Sequence, residues 1–345
     1  MKKIIRDPEK IAAIELYDAV GSKIGFNLND GSGQDQFLKS ISESLGRDRS
    51  NPIVLHGKRT EYMFGYVIAS LGKYSLIKIE DSGETYTQSS DIQIPDWRIA
   101  KPSEQFLVEV KNHHPKNPLA KFRLKRAYWE KLKRYGDLCG CEVKLAVYWS
   151  EWNIWTLNSP EKMTHLEDNI VFDLGEGMKK NEMNLFGDMS IGTTPPLKFR
   201  LVANREKPGV IREDGTVEFT IGKVELWCGP NEIKEKLEKS IAFYFMLWGK
   251  WPCSRGIAKI NNGVLEAVEY IAEPENYTDN QNFEFVGELS GMLSRQYNEA
   301  TSTKGQITCF SPKIEPEMMN ILMDINHKGD KLPLSRFILR PNYET

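Results

Sequence analysis

The six residues Phe106–Lys111, FLVEVK, restrict the fold more than any other stretch of the chain. Side chains along a β-strand alternate between its faces, so Phe106, Val108 and Val110 share one face while Leu107, Glu109 and Lys111 share the other. A run this apolar asks for burial, and burial carries a carboxylate and an amine with it. Charge inside a protein is costly unless it is paired or bound to a metal. The fold must therefore set this strand against a core and bring partners to Glu109 and Lys111.

The flanking sequence supplies further elements. Phe37, Leu38, Ile41 and Leu45 suit a short amphipathic helix over 34–45. The stretch 50–57 ends in Gly57 and leads into a helix over 58–72, apolar over much of its circumference and carrying Glu61 in its first turn. A strand is expected at 73–81, a second extended segment at 92–100, a turn at Lys101-Pro102-Ser103, and then the FLVEVK strand. Pro118 suits the first turn of a helix running to about Tyr135, with Leu124, Tyr128, Leu132 and Tyr135 as its apolar stripe. Strands at 142–150 and 152–157 complete a mixed α/β sheet domain.

Residues 161–205, rich in Gly, Asn, Met and Pro, read as a linker or surface excursion. Beyond them a second, α+β unit is expected. It has a helix from Asn231 to Trp248, helices at 286–301 and 315–324, and strands at 216–228, 257–260, 264–272 and 306–310. The domains are accordingly 1–160, the 161–205 connection and 206–345. With 345 residues the chain is long enough for two cores of ordinary size.

Composition narrows the class. At 40% hydrophobic and 27% charged residues the chain is that of a soluble globular protein, and no apolar run approaches the roughly 18 residues needed to span a bilayer. The N-terminus lacks a secretory h-region, because Arg6, Asp7, Glu9 and Lys10 interrupt it, and the chain reads as cytoplasmic. The five cysteines form no CxxC pair and no zinc-like spacing with histidine. Net charge is −2, so there is no global basic field. Between Lys111 and Tyr135, however, Lys and Arg residues including Arg123, Arg126, Lys131, Lys133 and Arg134 are opposed by Glu130 alone. On charge alone this is a solvated helix face; beside an anion-processing site it is a polyanion contact.

Such a site is suggested by spacing. Asp96 follows Pro95, and twelve residues separate it from Glu109, enough for a turn and a return along an adjacent strand. A hairpin of this kind brings Asp96 and Glu109 within reach of one cation. Hard oxygen ligands suit Mg²⁺, held by one or two carboxylates plus water and substrate phosphate. Lys111, next to it, can orient water and offset transition-state charge.

The pattern IPD, twelve residues, EVK resembles the active-site signature of the PD-(D/E)XK nuclease superfamily, the restriction-endonuclease-like fold. The resemblance covers about residues 50–160. It implies a metal-dependent DNA endonuclease in which Asp96, Glu109 and the Val110 carbonyl hold Mg²⁺, with Mn²⁺ able to substitute. Lys111 would position water, and Glu61 would support the site or bind a second ion. Arg123, Arg126, Lys131, Lys133, Arg134 and Tyr135 would contact DNA. RecB-like members carry QxxxY on the helix after the ExK strand. Here Lys131 stands for Gln and Tyr135 keeps the Tyr position, a departure from that branch. The resemblance further implies a homodimer for duplex cleavage and a setting in restriction or phage defence, while the net-acidic, aromatic-rich C-terminal unit suits dimerisation, partner contact or target selection. The alternative is a catalytically silent nucleic-acid-binding or scaffold protein on the same fold.

Overall fold

The computed structural model describes residues 13–72, 74–80, 85–88, 91–207, 209–312 and 327–344. Helices α1 (Ala13–Ile24) and α2 (Gly33–Ser50) precede α3 (Pro52–Leu71). Asn51 starts α3: its side-chain oxygen accepts from Ile53 N at 3.0 Å, and Pro52 fills a first-turn position where a missing N–H costs nothing. The helix runs straight through Gly57, so 52–71 is one element. Its wide apolar face buries Met63, Phe64, Val67, Ile68 and Leu71.

The sheet that follows contains β1 (Leu76–Ile79), β2 (Trp97–Ala100), β3 (Gln105–His113), β5 (Glu142–Trp149) and β6 (Ile154–Asn158), hydrogen-bonded in that order. Between β3 and β5 lie β4 (Phe122–Lys125) and α4 (Arg126–Cys139). Pairing is antiparallel except between β3 and β5, which run parallel, with α4 in the connection between them. The architecture is mixed α/β, as expected. The alternation read from FLVEVK holds. Phe106, Val108 and Val110 pack in one cluster with α3, while Leu107 packs with Trp129 and Leu132 of α4 in another.

The helix expected from Pro118 begins only at Arg126. Residues 122–125 form β4 instead, pairing antiparallel with β8 (Asn169–Phe172), which also pairs with β7 (His165–Leu166). The two-residue period explains this: Phe122 and Leu124 are buried and Arg123 and Lys125 exposed, a pattern that suits a strand and outweighs the proline signal.

The 161–205 stretch is built, not sparse. Besides β7 and β8 it holds α5 (Leu174–Lys179), β9 (Ser190–Thr193) and β10 (Leu197–Ala203). Ile170, Phe172, Met183, Phe186, Ile191 and Leu197 are buried there. Its polar composition misleads because the polar groups satisfy buried backbone. Asn181 Oδ1 accepts from Leu157 N at 2.9 Å and from Met183 N at 3.0 Å.

The remaining elements are β11 (Gly209–Ile211), β12 (Val217–Glu218), β13 (Ile221–Cys228), β14 (Asn231–Ile233), α6 (Lys236–Trp248), β15 (Ile257–Asn261) and β16 (Val264–Ala272). After them come β17 (Glu284–Glu288), α7 (Leu289–Thr301), β18 (Ser302–Thr303), β19 (Gln306–Ile307) and β20 (Ser335–Phe337). A second sheet runs β12-β11-β16-β10-β13-β14, with β15 on β16. Asn231 is in a strand paired with β13, and α6 starts after Glu235, whose carboxylate accepts from Leu237 N at 3.0 Å. The strand expected at 216–228 is interrupted into β12 and β13, that at 306–310 shrinks to β19, and α7 starts three residues late, after β17. The helix candidate at 315–324 lies outside the described residues.

Helix α7 packs on α3. Trp155 Nε1 donates to Ser294 Oγ at 2.8 Å, and Arg59 donates to the Asn298 carbonyl at 2.9 Å. One apolar cluster reaches from Met63 on α3 to Leu332 near the C-terminus. Tyr244 and Phe245 of α6 are 3% and 1% exposed and belong to this cluster. Trp248 packs against it, and α6 leaves Phe243 and Leu247 outward. Among the described residues no helix is long and apolar enough to cross a membrane.

Candidate active site

The β2–β3 hairpin brings the expected acids together. Its register sets Trp97 opposite Val108, so the residue before Trp97 lies beside Glu109 and Val110. Asp96 Oδ2 accepts from Val110 N at 2.8 Å. Glu109 is 2% exposed, and its Oε1 is met by the Lys111 ammonium. The same oxygen accepts from the Tyr128 hydroxyl at 2.6 Å. Glu61, on α3, pairs with Lys58 at 2.6 Å, while its backbone carbonyl accepts from Trp97 Nε1 at 3.0 Å and ties α3 to β2.

Charge crowding marks the cluster. Burial, with the charges of Glu109 and Glu61, pushes the Asp96 carboxyl up to about 7, against the lowering influence of the Val110 N–H and Lys111. Burial pulls the Lys58 ammonium down, but its hydrogen bond to Glu61 and the charges of Glu61 and Asp96 leave it raised. Burial and the Glu109 charge raise the Tyr128 hydroxyl far above its ordinary range. Carboxylates drawn out of water that repel one another are stabilised by a hard cation. Two such carboxylates are hard oxygen donors of the kind that could hold a divalent cation together with water and phosphate oxygens. No group of three or more His, Cys, Asp and Glu suited to a metal occurs among the described residues. The fit therefore rests on Asp96 and Glu109.

The basic residues sort into two sets. Arg123, on β4, and Arg126 and Lys133, on α4, are exposed. Lys131 and Arg134 instead pair with Asp91 at 2.6 and 3.1 Å, Gln93 N donates to the Lys131 carbonyl at 3.2 Å, and Tyr135 donates to Glu80 at 3.0 Å. These three side chains hold the segment leading to Asp96, and β1 behind it, onto α4. His113 Nε2 lies 2.8 Å from the Ala120 carbonyl, and His114 Nδ1 lies 2.9 Å from Glu151. Trp149 and Trp155 are buried, whereas Trp152 is exposed.

Sequence reading missed Tyr128 and Asp91 as parts of this arrangement. Tyr128 read as one member of an apolar stripe. The available signal was its hydroxyl, because a buried tyrosine needs a polar partner, and Glu109 was in want of one. Asp91 carries no spacing signal of its own, because its partners Lys131 and Arg134 lie on α4, far along the chain.

No family model matches the chain, and no curated protein sequence matches it. Among solved structures it is similar to Hjc of Archaeoglobus fulgidus, a Holliday junction resolvase from an archaeal hyperthermophile. The identity is 16%, the TM-score 0.23, and the match covers 29% of this chain and 77% of that one.

Proposed function

We propose that the chain is a divalent-metal-dependent nuclease of the PD-(D/E)XK type that hydrolyses phosphodiester bonds in DNA. The observation that carries this reading is the convergence of Asp96, Glu109 and Lys111 at the β2–β3 hairpin, with Asp96 held against Val110 N at 2.8 Å. Asp96, Glu109 and the Val110 carbonyl would hold the ion. Bound there, Mg²⁺ or Mn²⁺ would supply Lewis-acid polarisation of a phosphoryl oxygen and neutralise developing charge. Lys111 orients water and balances charge at the transferred group, and Glu61 supports the site from α3. Arg123, Arg126 and Lys133 offer sequence-independent phosphate contacts. Lys131, Arg134 and Tyr135 act indirectly, through the Asp96 segment.

In this reading residues up to about 160 carry the chemistry, and those beyond about 205 serve partner contact, dimerisation or target choice. Duplex cleavage needs two active sites, for which a symmetric dimer is the simplest source. Restriction or phage defence is the setting we propose, on analogy with the superfamily. The test is incubation of the purified chain with supercoiled and linear DNA in Mg²⁺, Mn²⁺ or EDTA. Turnover in either metal that disappears in EDTA supports the reading, and DNA left intact under every condition contradicts it.

A further inference from the structure

The first turn of α4 delivers a side chain to the cluster that this reading leaves without a role. Tyr128 donates its hydroxyl to Glu109 Oε1 at 2.6 Å. Lys111 meets that same oxygen, and its ammonium lies 5.1 Å from the centre of the Tyr128 ring. One side chain therefore touches both neighbours with different parts, hydroxyl to carboxylate and ring face to ammonium. A hydrogen bond to a carboxylate is charge-assisted and roughly twice as strong as a neutral one. A cation within about 6 Å of a ring centre is drawn to the ring's negative face. Because Glu109 is 2% exposed, water is poorly placed to replace a lost donor.

We infer that Tyr128 is a positioning residue of this site: its hydroxyl fixes the Glu109 carboxylate toward Asp96, and its ring fixes the Lys111 ammonium beside it. The inference rests on the nuclease reading. The two contacts can be separated, since Tyr128→Phe removes the hydroxyl and keeps the ring, while Tyr128→Leu removes both.

The experiment is Mn²⁺ titration of the full chain by calorimetry, paired with plasmid cleavage at saturating Mn²⁺. Tyr128→Phe is expected to weaken Mn²⁺ binding about tenfold, as loss of one charge-assisted bond would, with kcat at saturating metal within about threefold of wild type. Tyr128→Leu should match that loss of affinity and lower kcat a further tenfold or so, because Lys111 loses its support. Wild-type Mn²⁺ affinity in Tyr128→Phe overturns the hydroxyl's role. Equal kcat in the two variants overturns the ring's role. Tyr128→Phe preserves packing, so its outcome stands whether or not Tyr128→Leu folds. A wild-type chain that binds no Mn²⁺ removes the nuclease reading and this inference with it. A wild type that binds, beside an unaffected Tyr128→Phe, removes this inference alone.

Discussion

Asp96 is held in a place that disfavours its own charge. Burial and the charges of Glu109 and Glu61 push its carboxyl up to about 7 in the folded chain, against an ordinary value near 4 when unfolded. The folded state therefore binds the proton more tightly. Stability falls as pH rises from about 4 to about 7, and the full cost persists above that window. Asp96→Asn, which keeps an acceptor for Val110 N, should raise the melting temperature in EDTA at pH 8 by about 2–5 °C. The gain should shrink toward pH 4. A gain that is absent, or the same at both pH values, contradicts the proposed charge crowding. The acids at this site were legible in the sequence because a two-residue period places Glu109 and Lys111 on one strand face, and a short hairpin returns Asp96 beside them. Tyr128 was not, because a helical stripe specifies which face turns inward and says nothing of what a hydroxyl on that face will meet.

At the scale of elements, α4 has two jobs. One flank of it binds the Asp96 segment through Asp91, Lys131 and Arg134, with Lys131 Nζ 2.6 Å from Asp91, while Arg126 and Lys133 are exposed together with Arg123 on β4. Replacing Arg123, Arg126 and Lys133 by Gln should weaken DNA binding for all sequences alike and flatten the plot of log K against log salt by about 0.9 per side chain removed. An unchanged slope would return these residues to an ordinary solvated face. Asp91→Ala should behave in the opposite way, leaving the slope alone while lowering cleavage through a loosened Asp96, by about tenfold. The sequence revealed the basic run but could not apportion it. Which charges are used internally depends on Asp91, forty residues away from Lys131 along the chain, and on a helix start that Pro118 disguised.

At the scale of the whole molecule, the five-stranded sheet and α3 depend on the rest of the chain. Helix α7 covers α3, and the buried cluster that begins at Met63 and Phe64 includes Tyr244, Phe245, Leu289 and Tyr297. A chain ending at residue 200 would expose that face, and large apolar patches are not tolerated on stable monomers. We expect residues 1–200 alone to lack a cooperative thermal transition and to aggregate, as followed by calorimetry and light scattering. A sharp transition from a soluble fragment would show instead that the first unit folds independently. Periodicity within single elements was readable from the sequence, but the packing of α7 on α3 was not, because it is set by contacts more than 200 residues apart, such as Tyr66 with Gln296 at 3.0 Å. The most direct test of the account as a whole is to carry wild type, Asp96→Ala and Glu109→Ala through Mn²⁺ titration and plasmid cleavage in parallel, with thermal melting to confirm folding. The account predicts that the wild type binds Mn²⁺ and cuts, and that both folded variants lose metal affinity and activity together; a folded variant that binds and cuts like wild type would contradict it.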